Sequence, residues 1–162
     1  PETARNIKTT LKNAREVSEK ANRILGNVEK VKTQAGMDLT YSGGSNHYRA
    51  NLDFQINADS RRYARIGLSD IGETNRVNFL LGQQGQTFGG HAGVVEGKAG
   101  AGIDLHFGKG FKISADAYDP NDLRIKLRSE IRIAPSTYLV GESISINKDA
   151  QRNSYIGVRR TF

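Results

Sequence analysis

Along HYRANLDFQIN, Tyr48, Ala50, Leu52, Phe54 and Ile56 alternate with His47, Arg49, Asn51, Asp53 and Gln55. Successive side chains of a strand point to opposite faces, so this segment has one apolar face and one charged face. NDLRIKLRSEIRI repeats the pattern, with Leu123, Ile125, Leu127, Ile131 and Ile133 set against Arg124, Lys126, Arg128, Glu130 and Arg132. From Met37 on, the chain predicts ten such strands, over 37–43, 47–57, 61–69, 75–83, 86–95, 98–107, 111–118, 122–133, 137–147 and 153–162. The segments between them, GGSN, NADS, SDIGET, GQQGQ, EGK, FGKG, DPND, APST and NKDAQRN, are rich in turn-forming residues. None is long enough for a crossover helix, so the strands form an antiparallel meander. A meander of this size closes into a barrel or leaves two exposed edges.

Residues 4 to about 34 follow a different period. Ile7, Leu11, Ala14, Ser18, Ala21, Leu25 and Val28 fall at alternating spacings of 4 and 3, a heptad seam, and Val17, Ile24 and Val31 form a second row beside it. The expected packing stripe is Ile7, Leu11, Ala14, Val17, Ala21, Ile24, Leu25, Val28 and Val31. Glu16 with Lys20 and Glu19 with Arg23 supply pairs in the favourable order. Gly36 reads as the helix stop. The expected organisation is an amphipathic helix over 1–35 and a barrel over 36–162, mainly β.

Composition narrows this picture. The 162 residues include no Cys and no Trp, which excludes disulfides, CxxC redox chemistry and thiolate metal sites. No stretch is apolar enough for a membrane helix. A membrane β-strand needs only about 10 residues, half of them apolar, and escapes that criterion. Formal net charge is +7, of which residues 2–32 contribute +4. Many of the 18 glycines fall inside strand patterns, including Gly67, Gly82, Gly90, Gly93, Gly100, Gly102, Gly141 and Gly157. Such placement weakens a soluble sheet but relieves crowding in a curved barrel. No signal peptide is visible, and Pro1 suggests a C-terminal piece of something longer.

Alternation alone does not say which face meets solvent. A soluble barrel of the fatty-acid-binding or lipocalin kind hides its apolar face, and a membrane barrel exposes it. The density of charge on the polar faces favours a transmembrane up-and-down β-barrel. Its expected lumen set is Arg49, Asp53, Lys98, Asp104, His106, Lys112, Asp116, Arg124, Lys126, Arg128, Glu130 and Arg132, held mainly as ion pairs. Tyr41, Tyr48, Phe88, Phe107, Phe111, Tyr118, Tyr138 and Tyr155 lie near strand ends, where interfacial girdles belong. The terminus YIGVRRTF resembles that of outer-membrane proteins, whose closing aromatic and alternating apolar residues serve the barrel assembly machinery. Ile156, Val158 and Phe162 match that signal and Arg160 does not. The expected location is the outer membrane, with the helix in the periplasm and short loops outside.

Candidate chemistry is sparse. His47, His91 and His106 lie on separate strands without ligand spacing. Asp104 and Ser114 pair across the expected FGKG hairpin with His106 diagonal, but they point with the lumen set rather than toward lipid. GKAGAG lacks the following Ser or Thr and the helix of a phosphate-binding loop. No catalytic residue, cofactor or metal site is expected, and no nucleic-acid platform stands out.

The helix LKNAREVSEKANRILGNVEKVK running into a barrel that ends YIGVRRTF resembles the C-terminal part of MCE-family (mammalian cell entry) lipid-transport proteins of the MlaD type, as found in diderm Firmicutes. The resemblance implies a bridge across the periplasm that carries phospholipid between membranes, homo-oligomer assembly through the helices, and an inner-membrane ABC transporter at the far end. Three other readings stand beside it: an autotransporter-like translocator with the helix in its pore, an outer-membrane lipid-modifying enzyme, and a soluble lipid-binding barrel.

Overall fold

A computed structural model describes residues 2–25 and 32–162, without the side chains of residues 3, 21, 22, 24 and 25. Helix α1 spans Glu2–Leu25. Ten strands follow: β1 (Lys32–Ser42), β2 (His47–Asn57), β3 (Arg62–Ser69), β4 (Arg76–Gln84), β5 (Phe88–Val95), β6 (Lys98–Phe107), β7 (Phe111–Tyr118), β8 (Arg124–Ala134), β9 (Thr137–Ile144) and β10 (Asn153–Thr161). Each pairs antiparallel with the next, and β1 pairs with β10, so the sheet closes on itself. Closure satisfies every strand edge, which an open meander cannot do. The chain is mainly β, a closed ten-stranded antiparallel barrel with one N-terminal helix.

The turns follow their chemistry. Glu96 (φ 50°) and Gly97 (φ 79°) occupy the two-residue turn between Val95 and Lys98. Two successive positive φ values match the twist of the flanking strands. Asn46, Asp70, Asn75 and Asp119 also take positive φ, as their side chains tolerate better than most.

The boundary expected at residue 36 is corrected. β1 begins at Lys32, and Gly36 is buried inside it, paired with Asp53 and Thr161. The heptad pattern running to Val31 carried the helical reading too far, and strand pairing on both sides of β1 decides the conformation. Gly36 is no helix stop: a Cβ there would strike the Arg159 guanidinium. Leu123 lies just outside β8 and is exposed.

The two faces of the wall differ in kind. Tyr48, Ile66, Leu81, Phe88 and Ile156 point outward and are each more than half exposed. Arg49 and Asp38 point inward and are each 3% exposed. This is the reverse of a water-soluble barrel with an apolar calyx. Tyr41 and Tyr48 stack outside at one end, with ring centroids 4.7 Å apart. Phe88, Phe107 and Phe111 stand at the other end, the latter two 5.6 Å apart. The remaining three of the expected girdle are corrected. Tyr118 and Tyr155 are buried, and Tyr118, Tyr138 and Tyr155 share the inward parity of Asp116, Val140 and Arg159.

Helix α1 does not thread the lumen. It lies against the outside of β1, with Ala14 and Ser18 buried. Ala35 and Met37 have outward parity on β1 yet are buried there. Small residues on both sides allow this close approach, so the barrel's own wall takes part of the stripe expected to seek other helices. Ile7 and Leu11 are half-buried and Val17 is exposed, while the side chains of Ala21, Ile24 and Leu25, and the whole of Val28 and Val31, lie outside what is described. Arg15, Ser18 and Glu19 border Arg160 and Phe162, which places the middle of α1 at the end of the barrel where β1 starts and β10 stops.

Candidate functional site: the charged lumen

Alternation sends the polar set of every strand into the lumen, where space is short. Glycines supply part of it. A side chain at Gly102 would collide with the Asp116 carboxylate and His91. Gly100 gives way in the same manner to Tyr118 and Val95. GKAGAG is thus a stretch of wall kept thin on its inner face.

Two connected ionic groups fill the lumen. Near the Glu96 turn, Arg49 donates to Glu96 (2.5 Å) and to Glu142 (2.6 Å), and Lys126 donates to Glu96 (3.2 Å). Arg128 joins Glu142 (3.0 Å), Asp38 (2.8 Å) and Glu130 (2.9 Å). Arg159 reaches across from β10 to Asp38 (2.8 Å) and Asp53 (2.6 and 2.9 Å). On the opposite wall, His91 stands between Asp104 (3.0 Å) and Asp116 (2.5 Å), and the Ser114 hydroxyl donates to Asp104 (2.5 Å). A ring with a carboxylate at each nitrogen donates at both only as the imidazolium. Lys112 bridges the groups at longer range, 3.7 Å from Asp104 and 4.0 Å from Glu130.

Glu96 sits in its turn with its carboxylate almost wholly buried. Burial pushes its pKa up, but Lys126 and Arg49 outweigh burial and hold it at about 2. At the same end Asp70 accepts from Thr74 (2.7 Å) and pairs with His47 (2.9 Å). Burial raises its pKa, and these hydrogen bonds bring it below the ordinary value. The apolar cluster Leu80, Val95 and Tyr118 fills the lumen beside this end. A cavity of about 510 Å³ occupies the rest, running from Lys32, Asn57 and Lys109 at the termini end down to Val95 and Glu96.

Of the residues expected to face the lumen, the structure places Arg49, Asp53, Asp104, His106, Lys112, Asp116, Lys126, Arg128 and Glu130 around this cavity or its network. Arg124 stands half-buried at the rim, 3.4 Å from Asp122. Lys98 and Arg132 are corrected: both are exposed, because they sit at strand ends, and a register shift next to Arg132 interrupts the alternation of β8. Asp104 and Ser114 are paired Cα partners, as the hairpin spacing predicts. Their histidine is His91 rather than His106, and it binds the carboxylate, not the serine. No Ser–His–Asp relay exists in that geometry. Among the described residues no cluster has the makings of a metal site.

Sequence reasoning missed Asp38, Arg65, His91, Glu96, Glu142 and Arg159. Asp38 and Arg159 had a legible signal, since each alternates with apolar neighbours: Met37 and Leu39, Val158 and Phe162 with Arg160 intervening. Glu142 stands between Gly141 and Ser143, and Glu96 in a turn, where alternation is silent.

Ile156 and Val158 point outward and are exposed. The Phe162 amide donates to Ala35 (2.9 Å) and its carbonyl accepts from the Ala35 amide (3.3 Å), so the last residue continues the β1–β10 seam beside α1.

No curated protein and no solved structure matched the chain. A family model described as a lipocalin-like domain matches residues 69–162, from the end of β3 through β10 and more than half of the chain. On that match, the chain belongs to the lipocalin-like domain family.

Proposed function

We propose that this chain is an outer-membrane β-barrel that meets lipid on its outer wall and serves as the membrane anchor of a phospholipid-transport bridge. One observation carries the reading: the exposed outer face is apolar while the arginines and carboxylates are buried inside. In water this arrangement wets the wrong face; in a bilayer it satisfies both. Strands of 8–11 residues suit a tilted crossing, for which about 9–11 are needed. The Tyr41–Tyr48 and Phe107–Phe111 pairs at opposite ends suit the two interfaces. A lipocalin-like family suggests a lipid ligand. An acyl chain drawn into this lumen would displace paired charges, so contact with lipid belongs outside.

The MCE resemblance supplies the larger role. In it, α1 anchors a periplasmic assembly, phospholipid passes between membranes, and the inner-membrane partner is an ABC transporter. Exposed Val17 leaves an apolar position on α1 for a second copy. The barrel assembly machinery would insert the chain through its C-terminal strand.

The test is refolding of the chain from urea into dimyristoyl-phosphatidylcholine vesicles and into plain buffer. Flotation with the vesicles, protease protection of the strands and a boiling-dependent shift in gel mobility are expected only with lipid. A folded, monodisperse protein in plain buffer would overturn the reading and favour a soluble lipid-binding barrel, the alternative that the family match supports.

A further inference from the structure

The cavity's carboxylates are committed. Asp53 holds Arg159, Glu130 holds Arg128, and Asp104 and Asp116 share His91. Two cations nearer the mouth, Arg65 and Lys112, are held more loosely. Arg65 spends its guanidinium on Gln55 Oε1, at 3.0 and 2.5 Å, and lies over the Tyr63 ring at 5.3 Å. Both partners are neutral, and among the described residues no carboxylate is within ion-pair distance of Arg65. Lys112 lines the same cavity from the opposite wall, and its own carboxylates, at 3.7 and 4.0 Å, are too distant for hydrogen bonds. His106 pairs with Lys112 across the hairpin, and its buried Nδ1 has no hydrogen-bond partner among the described residues.

The rim deepens this imbalance. The turns at the termini end, 58–61, 85–87, 108–110 and 135–136, hold one acid, Asp59, against Arg61 and Lys109, with Lys32 beside them. Asp59 is occupied by the Arg61 and Arg62 amides and the Arg62 side chain. At the other end, Asp70, Glu73, Glu96, Asp119, Asp122 and Asp149 outnumber Arg76, Lys98, Arg124, Lys148 and Arg152. Positive charge therefore gathers at one mouth only, the one that opens into the cavity.

We propose that this mouth binds a phosphate group, carried by a phospholipid headgroup or free in solution, between Arg65 and Lys112, with Lys109 at the entrance and His106 Nδ1 supplying a hydrogen bond. A guanidinium offers two parallel N–H groups to a phosphate, and an ammonium on the other wall completes the charge. The site is independent of what meets the outer wall.

The test uses the full chain folded in dodecyl maltoside, which carries no phosphate. Titration calorimetry with inorganic phosphate should give saturable binding. Arg65→Gln should weaken it at least tenfold, Arg65→Lys should restore part of it, and Lys109→Gln, on the exposed rim, should weaken it several-fold. Circular dichroism and gel mobility identify any variant that fails to fold. Dihexanoyl-phosphatidylglycerol that competes with phosphate assigns the site to a lipid headgroup; phosphate binding without competition assigns it to the free anion. Absence of saturable binding for both, or binding unchanged in folded Arg65→Gln, overturns the proposal.

Discussion

The inner and outer faces of this wall are built from the same strands, one residue out of step, yet they obey opposite rules. Outside, apolar side chains are exposed, and each contributes through whatever solvent surrounds it. Inside, Arg49, Arg128 and Arg159 each touch two or more carboxylates, and each depends on its neighbours. The difference teaches that stability here is conditional on two sides at once: the lumen on complete pairing, the outer wall on its medium.

The sharpest way to break the comparison is to remove one hub. Arg49→Leu leaves Glu96 and Glu142 facing each other without their shared cation, and should cost roughly 3–5 kcal/mol, read as a lower urea midpoint for unfolding in micelles. Replacing Arg49, Glu96, Glu142 and Lys126 together by apolar residues should recover much of that loss, because Lys126 goes with its partner Glu96 and Arg128 keeps Asp38 and Glu130.

Acid tests the same hub without mutation. Glu96 ionises at about 2 in the folded chain against an ordinary 4.5. A depressed carboxyl pKa stabilises fully above the ordinary value and loses that contribution as pH falls through the folded one. The loss should run from about pH 4.5 toward 2 and amount to about 3 kcal/mol. In Glu96→Gln the acid branch of the stability curve should be shallower.

The outer face responds to its medium instead. Phe79, on β4, lies between Ile66 and Val94 and is 44% exposed. Phe79→Arg should cost about 2–4 kcal/mol in lipid vesicles if this position is near the bilayer midplane. In a soluble barrel it would cost little, so this one substitution measured in vesicles sharpens the contrast between the faces.

The smallest effect belongs to the thin wall. Gly102→Ala pushes a methyl toward Asp116 and His91 and should cost about 1–3 kcal/mol, as overpacking does. The companion Ala101→Gly, on the outer face of the same strand, should change stability by less than that.

Alternation made the inner and outer sets legible wherever both were present in one strand, as in β2 and β8. It failed where glycine or serine replaced the apolar partner, which hid Glu142, and where a turn residue reached back into the lumen, which hid Glu96. Tyr118 was misplaced although its parity matched Lys112, Ser114 and Asp116, because an aromatic near a strand end reads equally well as a girdle. The helix was legible as a helix, but its seat on Ala35 and Met37 was not. The pattern shows that a stripe needs cover and does not say which surface provides it. The unpartnered charge of Arg65 was likewise invisible, since the neutral identity of its partner Gln55 depends on the β2–β3 register.

Arg159 joins β10 to Asp38 and Asp53, 121 and 106 residues earlier in the chain. Among the described residues Asp53 has no other cation until β10 arrives, while Asp38 also has Arg128 of β8. Their shared partner stands on β10, so strand pairings that form without β10 gain nothing from this contact. Closing the barrel pairs β1 with β10, a contact of the distant kind that slows folding. Without β10 the β1–β10 seam, the Arg159 pairs and the closed wall around the cavity are lost together.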